Sequence, residues 1–294
     1  MEHMKYLVLG SAGQIGAHLT TFLRHRGDIV FEHDLVNSPE QDLRRRSSAL
    51  LERMVEAEFV MFLAFDVGGA RYLKTYQHTF DFLSNNVKLI DNVFDALRES
   101  GKPFIFASSQ MSNMSYSSYG ILKALGEYYT KSLKGLIVKF WNVYGVEHDP
   151  EKSHAITDFI RKAQVNGRIE LMTDGAEMRQ LLYADDCCEA LRLLAQPEHY
   201  RAMPPDPNLH ITSFEWTRII DVARLIGELM RVPVIPGKAY DTVQKDLRNE
   251  PDPFLLKYWR PTTSLRDGIA EIIRAMTGSV KADAAESIPA LQRA

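Results

Sequence analysis

Cysteine is almost absent from this chain. Its 294 residues include two cysteines, Cys187 and Cys188, and adjacent cysteines cannot build an ordinary disulfide framework. This scarcity excludes the disulfide-stapled secreted domains and predicts a reducing, cytoplasmic compartment. Long hydrophobic runs are missing too. The longest, Phe59 to Phe65, is far shorter than the ~20 apolar residues of a membrane helix, so no membrane partner is expected.

A large excess of charge of either sign is also missing. The 35 basic and 38 acidic side chains leave a formal net charge of −3, which presents no basic face to nucleic acid at the level of the whole chain. Met1 to Lys5 leads straight into a strand-like run, so no signal segment is expected. The nine histidines show no paired metal-ligand spacing, so no metal site is predicted. With 45% hydrophobic residues, the chain is typical of a globular protein with a large core.

Short apolar runs alternate with amphipathic stretches through the first two-thirds of the chain. The runs are typical of buried strands, and the stretches between them carry apolar residues at helical spacing. Because each parallel crossover needs a helix, the alternation predicts an α/β protein with a Rossmann-type doubly wound parallel sheet. The predicted strands are 6–9, 29–31, 59–64, 104–106 and 136–140, and the predicted helices between them are 14–25, 75–99 and 118–133.

The alternation ends after Gly145, which predicts a second, smaller C-terminal domain of mixed structure. A helix is predicted there at 216–230. The end of the chain is rich in alanine and polar residues and has little to pack. The predicted boundaries are 1–145, completed by 180–205, for the first domain, 146–278 for the second, and 279–294 for a flexible tail.

A glycine-rich turn, Gly10-Ser11-Ala12-Gly13-Gln14-Ile15-Gly16, lies between the first predicted strand and the first helix. Glycines let a pyrophosphate approach the backbone, and the helix N-terminus supplies free N–H groups. Asp34 follows the second strand, 18 residues after Gly16, where a carboxylate accepts hydrogen bonds from an adenosine ribose and repels a 2′-phosphate. The alternative is an ordinary tight turn, and Arg44 to Arg46 nearby are either a solvated helix start or a phosphate clamp. We predict NAD as the cofactor, bound in part by Gly10, Gly13, Gln14, Ile15, Gly16 and Asp34.

Tyr119 and Lys123 lie four residues apart on a predicted helix and therefore share one face. A free phenol has a pKa of about 10 and is a poor base at neutral pH. A nearby ammonium, together with the positive ring of an oxidised nicotinamide, stabilises the phenolate and lowers that pKa. Tyr119 can then exchange a proton with a substrate hydroxyl during hydride transfer, and Ser109, at the end of the preceding strand, can hold the same oxygen. Ser109, Tyr119 and Lys123 are the predicted catalytic residues.

Over roughly residues 4–275, these features resemble an extended short-chain dehydrogenase/reductase of the NAD-dependent nucleotide-sugar epimerase/dehydratase family. Two further segments carry the resemblance, Lys139 to Gly145 and Arg179 to Asp186. It implies that Asn142 faces the sugar nucleotide and that Arg179 meets a substrate phosphate. It places His154 in a region that lines the substrate, although an exposed loop is the alternative. It also implies cofactor contacts from Asp42, Leu43, Leu63, Ala64 and Asn86.

Several positions depart from the family pattern. Gln110 and Met111 stand where 4,6-dehydratases carry an acidic pair and decarboxylases carry a glutamate, which disfavours both reactions. No cysteine or histidine is placed like the acid/base pair of the 3,5-epimerases. Only ten positions separate Ser109 from Tyr119, a shorter stretch than is usual in the family, so an open sugar pocket is expected. Lys139 replaces the usual arginine.

The resemblance implies an NAD-dependent enzyme of carbohydrate biosynthesis that acts at C4 of a nucleoside-diphosphate sugar through a 4-keto intermediate, and a 4-epimerase first of all. A C4 dehydrogenase, a 4-ketoreductase and an atypical dehydratase use the same residues and stay open as alternatives, as does a non-catalytic dinucleotide-sensing protein. Family members dimerise through a four-helix bundle, so a homodimer is expected. The aromatic residues expected in that interface, or alternatively in the core, are Phe80, Phe82, Phe94, Tyr128 and Tyr129.

Overall fold

The computed structural model describes residues 3–147, 149–240, 242–243 and 249–286, with side chains up to residue 278. Its strands are β1 (Lys5–Leu9), β2 (Ile29–His33), β3 (Phe59–Phe62), β4 (Phe104–Ser109), β5 (Leu136–Phe140), β6 (Asn142–Tyr144), β7 (Ile169–Glu170), β8 (Met178–Tyr183), β9 (Leu209–Ile211), β10 (Trp216–Arg218) and β11 (Val234–Ile235). Its α-helices are α1 (Gln14–His25), α2 (Ser48–Glu56), α3 (Ala70–Tyr76), α4 (Phe80–Ser100), α5 (Ser118–Ser132), α6 (Ala155–Asn166), α7 (Ala184–Ala195), α8 (Pro197–Ala202), α9 (Ile219–Met230) and α10 (Leu265–Glu286).

Six strands form the main sheet in the order β2-β1-β3-β4-β5-β9, and every neighbouring pair is parallel. The predicted Rossmann-type α/β fold is therefore confirmed. From β1 the chain passes first to β2 on one side and then back to β3 on the other side. The carboxyl ends of β1 and β3 flank the point where the direction changes, which is the usual place for a ligand on such a sheet.

Alternate residues of β1 serve the two faces of the main sheet. Tyr6 and Val8 pack in a core with α1 and α7 on one face, and Leu7 and Leu9 pack with α2, α4 and α5 on the other. Helices therefore cover both faces, as a buried parallel sheet requires. Helix α7 carries Cys187 and Cys188, both fully buried.

The later part of the chain encloses a separate core. Strand β8 pairs in parallel with β6 and antiparallel with β10, while β7 pairs with β11. Helices α6, α9 and α10 pack around these small sheets through apolar side chains that include Ile160, Ile226 and Ile269. This arrangement is mixed in structure and lies beside the carboxyl edge of the main sheet, because β6 follows β5 directly.

The helix predicted at 75–99 is interrupted. Helix α3 ends at Tyr76 and α4 begins at Phe80. Between them Thr79 acts as an N-cap, because its Oγ1 accepts a hydrogen bond from the amide of Phe82 at 3.3 Å. Apolar periodicity continues through the break, so the pattern alone did not reveal it.

Other predicted boundaries also differ. Residues 216–218 are strand β10 and not the start of a helix, because they pair with β8. The sixth strand of the main sheet, β9, lies beyond the predicted completing segment 180–205. Helix α10 continues to Glu286, into the segment predicted to be a tail. The remaining residues of that prediction, 287–294, lie outside the described residues.

Within the described part of the chain, no helix is long and apolar enough to cross a bilayer. The same part contains no group of three or more His, Cys, Asp or Glu side chains that could hold a metal ion.

Candidate active site

A cavity of about 1140 Å³ opens at the carboxyl edge of the main sheet. It extends from the turn between β1 and α1, past the ends of β3 and β4, to residues 140–154. Most of the predicted site residues line it: Gly10, Gly13, Gln14, Ile15, Gly16, Asp34, Asp42, Leu43, Leu63, Ala64, Ser109, Tyr119, Lys123 and His154. The structure thus brings the predicted catalytic residues, and all the predicted cofactor residues except Asn86, to one cavity.

The glycine turn has the geometry that a pyrophosphate needs. Gly10 has φ +87°, and a Cβ there would lie 2.6 Å from the amide nitrogen of Ala64. A Cβ on Gly16 would collide with the carbonyl oxygen of Gly10. Helix α1 starts at Gln14, and no described side chain caps its N-terminus. Residues 13–16, at the start of this helix, line one end of the cavity, which we call its phosphate end, and the turn fits a dinucleotide.

Asp34 stands at the end of β2, next to this turn. Its Oδ2 accepts a hydrogen bond from the amide of Ala12 at 3.0 Å, and its Oδ1 accepts one from the amide of Val36 at 2.9 Å. Its own amide donates to Oε1 of Gln41 at 2.8 Å. The carboxylate is thus fixed beside the phosphate end of the cavity, where it suits ribose hydroxyls and opposes a 2′-phosphate.

Asp42 holds an arginine against the cavity. Nε and Nη2 of Arg44 donate to the two oxygens of Asp42 at 2.8 and 2.9 Å, and Nη1 donates to Oδ1 of Asn85 at 3.1 Å. The hydrogen bonds from Arg44 keep the pKa of Asp42 below its usual range, although burial opposes them. Arg46 is turned outward and pairs with Asp95 at 2.9 Å. Of these arginines, Arg44 lines the cavity and Arg46 lies on the surface.

Lys123 is a buried residue of the cavity lining. The hydroxyl of Ser117 caps α5 by accepting from the amide of Gly120 at 3.1 Å, which fixes the start of the helix that carries Lys123. Its Nζ donates to the carbonyl oxygen of Ala107 at 2.6 Å and lies 3.7 Å from the centre of the Phe65 ring. Burial lowers the pKa of Lys123 to about 7, although the charge of Glu127 opposes this.

Tyr119 lies one turn before Lys123, whose Nζ is 5.8 Å from the centre of the phenol ring. Burial raises the pKa of Tyr119 to about 12, and a hydrogen bond with Ser109 opposes the increase. The oxygen of Ser109 also accepts from the amide of Met111 at 3.1 Å. In the protein alone the phenol is therefore neutral, because burial outweighs any help from Lys123. Two positive charges were expected to stabilise the phenolate, that of Lys123 and that of the oxidised nicotinamide ring. The second is supplied only by a bound cofactor.

Asn86 does not line the cavity but supports one of its loops. It is fully buried in α4; its Oδ1 accepts from the amide of Asp66 at 2.8 Å, and its Nδ2 donates to the carbonyl oxygens of Asp66 and Phe82 at 3.1 and 3.0 Å. It thereby fixes the loop that follows β3. The structure thus does not bring Asn86 to the cavity that the other predicted cofactor residues line.

Asn142 and Arg179 also lie away from the cavity lining. Nδ2 of Asn142 donates to the carbonyl oxygen of Gln180 at 3.3 Å, between β6 and β8. Arg179 is half-buried on β8, and its Nη1 donates to the carbonyl oxygen of Met178 at 2.7 Å. The structure therefore does not bring these two residues together with Ser109, Tyr119 and His154.

Four ionisable residues form a second side of the cavity, which we call the charged wall: Asp66, Glu147, Lys152 and His154. Lys152 Nζ lies 3.4 Å from Oδ1 of Asp66, and Nδ1 of His154 lies 2.7 Å from Oε1 of Glu147. Only His154 was predicted from the sequence. Asp66 lies two residues after Ala64, a predicted cofactor contact, which could have revealed it, whereas Glu147 precedes His154 without a recognisable spacing.

Trp141 is a further lining residue that the sequence analysis missed. Its Nε1 donates to Nδ1 of His210 at 3.1 Å, and its ring meets that of Trp216 edge-on at 5.7 Å. It directly precedes Asn142 in the quoted segment, so its position offered a signal. The indole gives the cavity a fixed apolar surface near the catalytic residues.

Comparison with known proteins identifies the family. The sequence model of the NAD dependent epimerase/dehydratase family matches residues 6–205. Among curated proteins, GDP-mannose 3,5-epimerase 1 of Oryza sativa subsp. indica is 26% identical over 318 residues, covering 91% of this chain and 80% of that protein.

Solved structures include two with the same fold. MoeE5 in complex with UDP-glucose and NAD has a TM-score of 0.76 at 23% identity, covering 94% of this chain and 99% of its own. The NAD complex of the UDP-glucose 4-epimerase of Thermus thermophilus has a TM-score of 0.75 at 20% identity, covering 94% of this chain and 100% of its own.

Proposed function

This chain belongs to the NAD dependent epimerase/dehydratase family, and from that membership we propose that it is a 4-epimerase of a nucleoside-diphosphate sugar. It is an NAD-dependent enzyme of the nucleotide-sugar epimerase, dehydratase and reductase group. The proposal adds the position of the chemistry, C4, and the net result, inversion at that carbon. The single observation that carries it is that Ser109, Tyr119 and Lys123 line the same cavity as the glycine-rich turn that fits a dinucleotide.

Each of these residues has a distinct role. NAD, held at the glycine turn and Asp34, would supply the hydride acceptor and donor. Tyr119 takes the proton of the C4 hydroxyl as the ketone forms and returns it later. Ser109, hydrogen-bonded to Tyr119, holds the same substrate oxygen. Lys123, on the same helix face, provides positive charge once its ammonium is formed.

The neutral side chains that directly follow Ser109 favour epimerisation over ordinary dehydration. Gln110 and Met111 are both buried and follow Ser109 directly, and neither side chain can protonate a leaving hydroxyl at C6. UDP-glucose is bound by MoeE5, whose fold this chain shares. We therefore infer that the substrate is a sugar on a nucleoside diphosphate, contacted by Ser109 and His154.

The test is to mix the purified protein with a panel of nucleotide sugars, including UDP-glucose and GDP-mannose, with and without added NAD. We expect the C4 epimer to accumulate without added NAD, because the cofactor is restored in each cycle. NMR of the products identifies the inverted carbon. Steady growth of the absorbance of reduced NAD would instead show a net dehydrogenase, and no reaction at C4 of any sugar would refute the proposal.

We also propose a homodimer, based on an apolar surface on α4 and α5. Phe80 and Tyr128 are 80% and 74% exposed, whereas Phe82 and Phe94 are buried in the core. Tyr129 stacks on Phe94 at 5.0 Å, so it belongs to the core side too. The exposed apolar side chains of the two helices recur at helical spacing: Phe80, Val87, Ile121, Leu125 and Tyr128.

Size-exclusion chromatography with light scattering tests this dimer. Ile121→Glu places a charge in the middle of the surface and should shift the protein to a monomer. Val165→Glu is the matched control, because Val165 is 83% exposed on α6, away from the proposed interface. Identical masses for the wild type and the Ile121 variant would contradict the proposal.

A further inference from the structure

Trp141 stands at the carboxyl end of β5, directly after Phe140. Phe140 is the ladder partner of Ser109 in the parallel pair of β4 and β5. Neighbouring strands lie ~4.8 Å apart and successive Cα atoms ~3.8 Å apart, so the Cα atoms of Trp141 and Ser109 are at most about 9 Å apart. Both residues line the cavity, and Ser109 is hydrogen-bonded to Tyr119. The indole therefore lies beside the proposed catalytic residues.

A chain of hydrogen bonds fixes the indole. Nε1 of Trp141 donates to Nδ1 of His210 at 3.1 Å. Nε2 of His210 lies 3.0 Å from Oδ1 of Asn208, whose Nδ2 donates to Oδ2 of Asp252 at 3.2 Å. Burial, helped by the charge of Lys139, lowers the pKa of His210 to about 4, so the ring is neutral at neutral pH. Its proton is then on Nε2, and Nδ1 is the acceptor that the indole needs.

A second tryptophan packs against this indole. The ring of Trp216, on β10, lies 5.7 Å from that of Trp141 between ring centres, with 78° between the two planes. An indole has one hydrogen-bond donor and no acceptor, and the donor of Trp141 is taken by His210. The half-buried side chain therefore presents only apolar ring atoms to the cavity. The part of a ligand that lies on it has to be apolar too.

We propose that Trp141 is a specificity-determining residue whose indole packs against the apolar C–H face of the substrate's sugar ring. The inference rests on the proposed function, in which Ser109 and Tyr119 hold the C4 hydroxyl of a nucleoside-diphosphate sugar. A pyranose ring carries hydroxyls around its rim and C–H bonds on its faces, so it suits an aromatic surface that offers no hydrogen bond. The diphosphate separates the base from C4, so the sugar and not the base lies beside Ser109.

Binding measurements separate the contribution of the sugar from that of the nucleotide. Calorimetry on the NAD-loaded enzyme compares UDP-glucose with UDP, and GDP-mannose with GDP. We expect the nucleotide sugar to bind more tightly in at least one wild-type pair. In Trp141→Ala this advantage should fall about tenfold, while the affinity for the nucleoside diphosphate stays unchanged. Trp141→Phe keeps an aromatic ring and should keep part of the advantage.

His210 acts through the indole and is a positioning residue. His210→Leu removes the acceptor that fixes Trp141, so the same advantage should fall about threefold. His210→Gln supplies a side-chain oxygen that can accept from Nε1, and it should restore most of the advantage. A purely structural role of His210 would instead lower the affinities for UDP and UDP-glucose alike. Tyr240→Ala is the matched aromatic control, because Tyr240 is 86% exposed and outside the cavity lining.

The outcomes distinguish this inference from the proposed function. If neither wild-type pair shows an advantage for the sugar, or if Trp141→Ala keeps that advantage, the inference is wrong, and inversion at C4 by the wild type would leave the proposed function standing. An equal loss of affinity for the nucleoside diphosphate in Trp141→Ala would mean that the indole contacts the base, which also overturns the inference. If the advantage is lost in Trp141→Ala but no sugar reacts at C4, the inference holds and the proposed function fails.

Discussion

The two sides of the cavity hold their ionisable groups in opposite ways. On the α5 side, burial dominates: it raises the pKa of Tyr119 to about 12 and lowers that of Lys123 to about 7. On the charged wall, Asp66 is half-buried and Glu147 is buried, yet hydrogen-bond donors and nearby positive charge keep both pKa values below the usual range. On the α5 side the pKa values are therefore shifted toward the neutral forms of both groups. On the charged wall, neighbouring residues already stabilise the ionised carboxylates.

The largest effect should come from removing the phenolic oxygen on the α5 side. Tyr119→Phe leaves the cavity shape nearly unchanged but removes the group that moves the C4 proton, so turnover should fall by a factor of about 1,000 or more. NAD binding, measured by calorimetry, should stay close to wild type, because the glycine turn and Asp34 are untouched. Substantial turnover in this variant would show that another group transfers the proton.

The second effect concerns how the buried Lys123 lowers the free energy of unfolding. Its pKa in the folded protein is about 7, below the usual 10.5, so between these pH values the unfolded chain binds the extra proton and folding becomes more favourable as pH rises. The free energy of unfolding of the wild type, minus that of Lys123→Met, should therefore increase from pH about 7.5 to about 9.5, by at most ~1.4 kcal/mol per pH unit. Urea unfolding at the two pH values measures this difference. A difference that stays constant or decreases would mean that the folded protein keeps the ammonium charged.

The charged wall should respond to pH with the same sign, but in the acid range. The folded pKa of Glu147 is below its usual 4.5, so its stabilising contribution is present above that value and is lost as pH falls through the folded pKa. Glu147→Gln should lower the free energy of unfolding by about 1–3 kcal/mol at neutral pH. The gap from wild type should shrink in acid. Equal stability of the two proteins at neutral pH would show that the hydrogen bonds between Glu147 and His154 contribute nothing to stability.

The smallest effect is expected from the ion pair at the rim of the charged wall. The side chains of Lys152 and Asp66 are 43% and 23% exposed, and their charged atoms lie 3.4 Å apart. Lys152→Met should therefore change the free energy of unfolding by less than about 1 kcal/mol. Thermal unfolding at low and high salt measures the effect, and a larger loss that high salt does not reduce would indicate a packing role for the lysine stem.

The same contrast explains what the sequence could reveal. The glycine turn and the pair Tyr119 and Lys123 depend on local spacing in the sequence. Parallel strands and a single helix bring residues with such spacing close together. Glu147 and His154 meet through a loop conformation that no periodicity encodes. Asn142 could be matched by its motif, but its side chain is turned to the backbone of Gln180, because strand pairing, not sequence, determines which way it points. The break at Thr79 was missed for a related reason: a single cap outweighs continuous apolar periodicity.

The two adjacent free thiols on α7 can report on a motion of the fold that is unrelated to the reaction. Cys187 and Cys188 are sealed between α7 and the sheet, and burial raises the pKa of both. A thiol reagent needs an exposed thiolate, so labelling can proceed only when this layer separates. The rate of alkylation therefore measures how often α7 separates from the main sheet, and no probe has to be engineered.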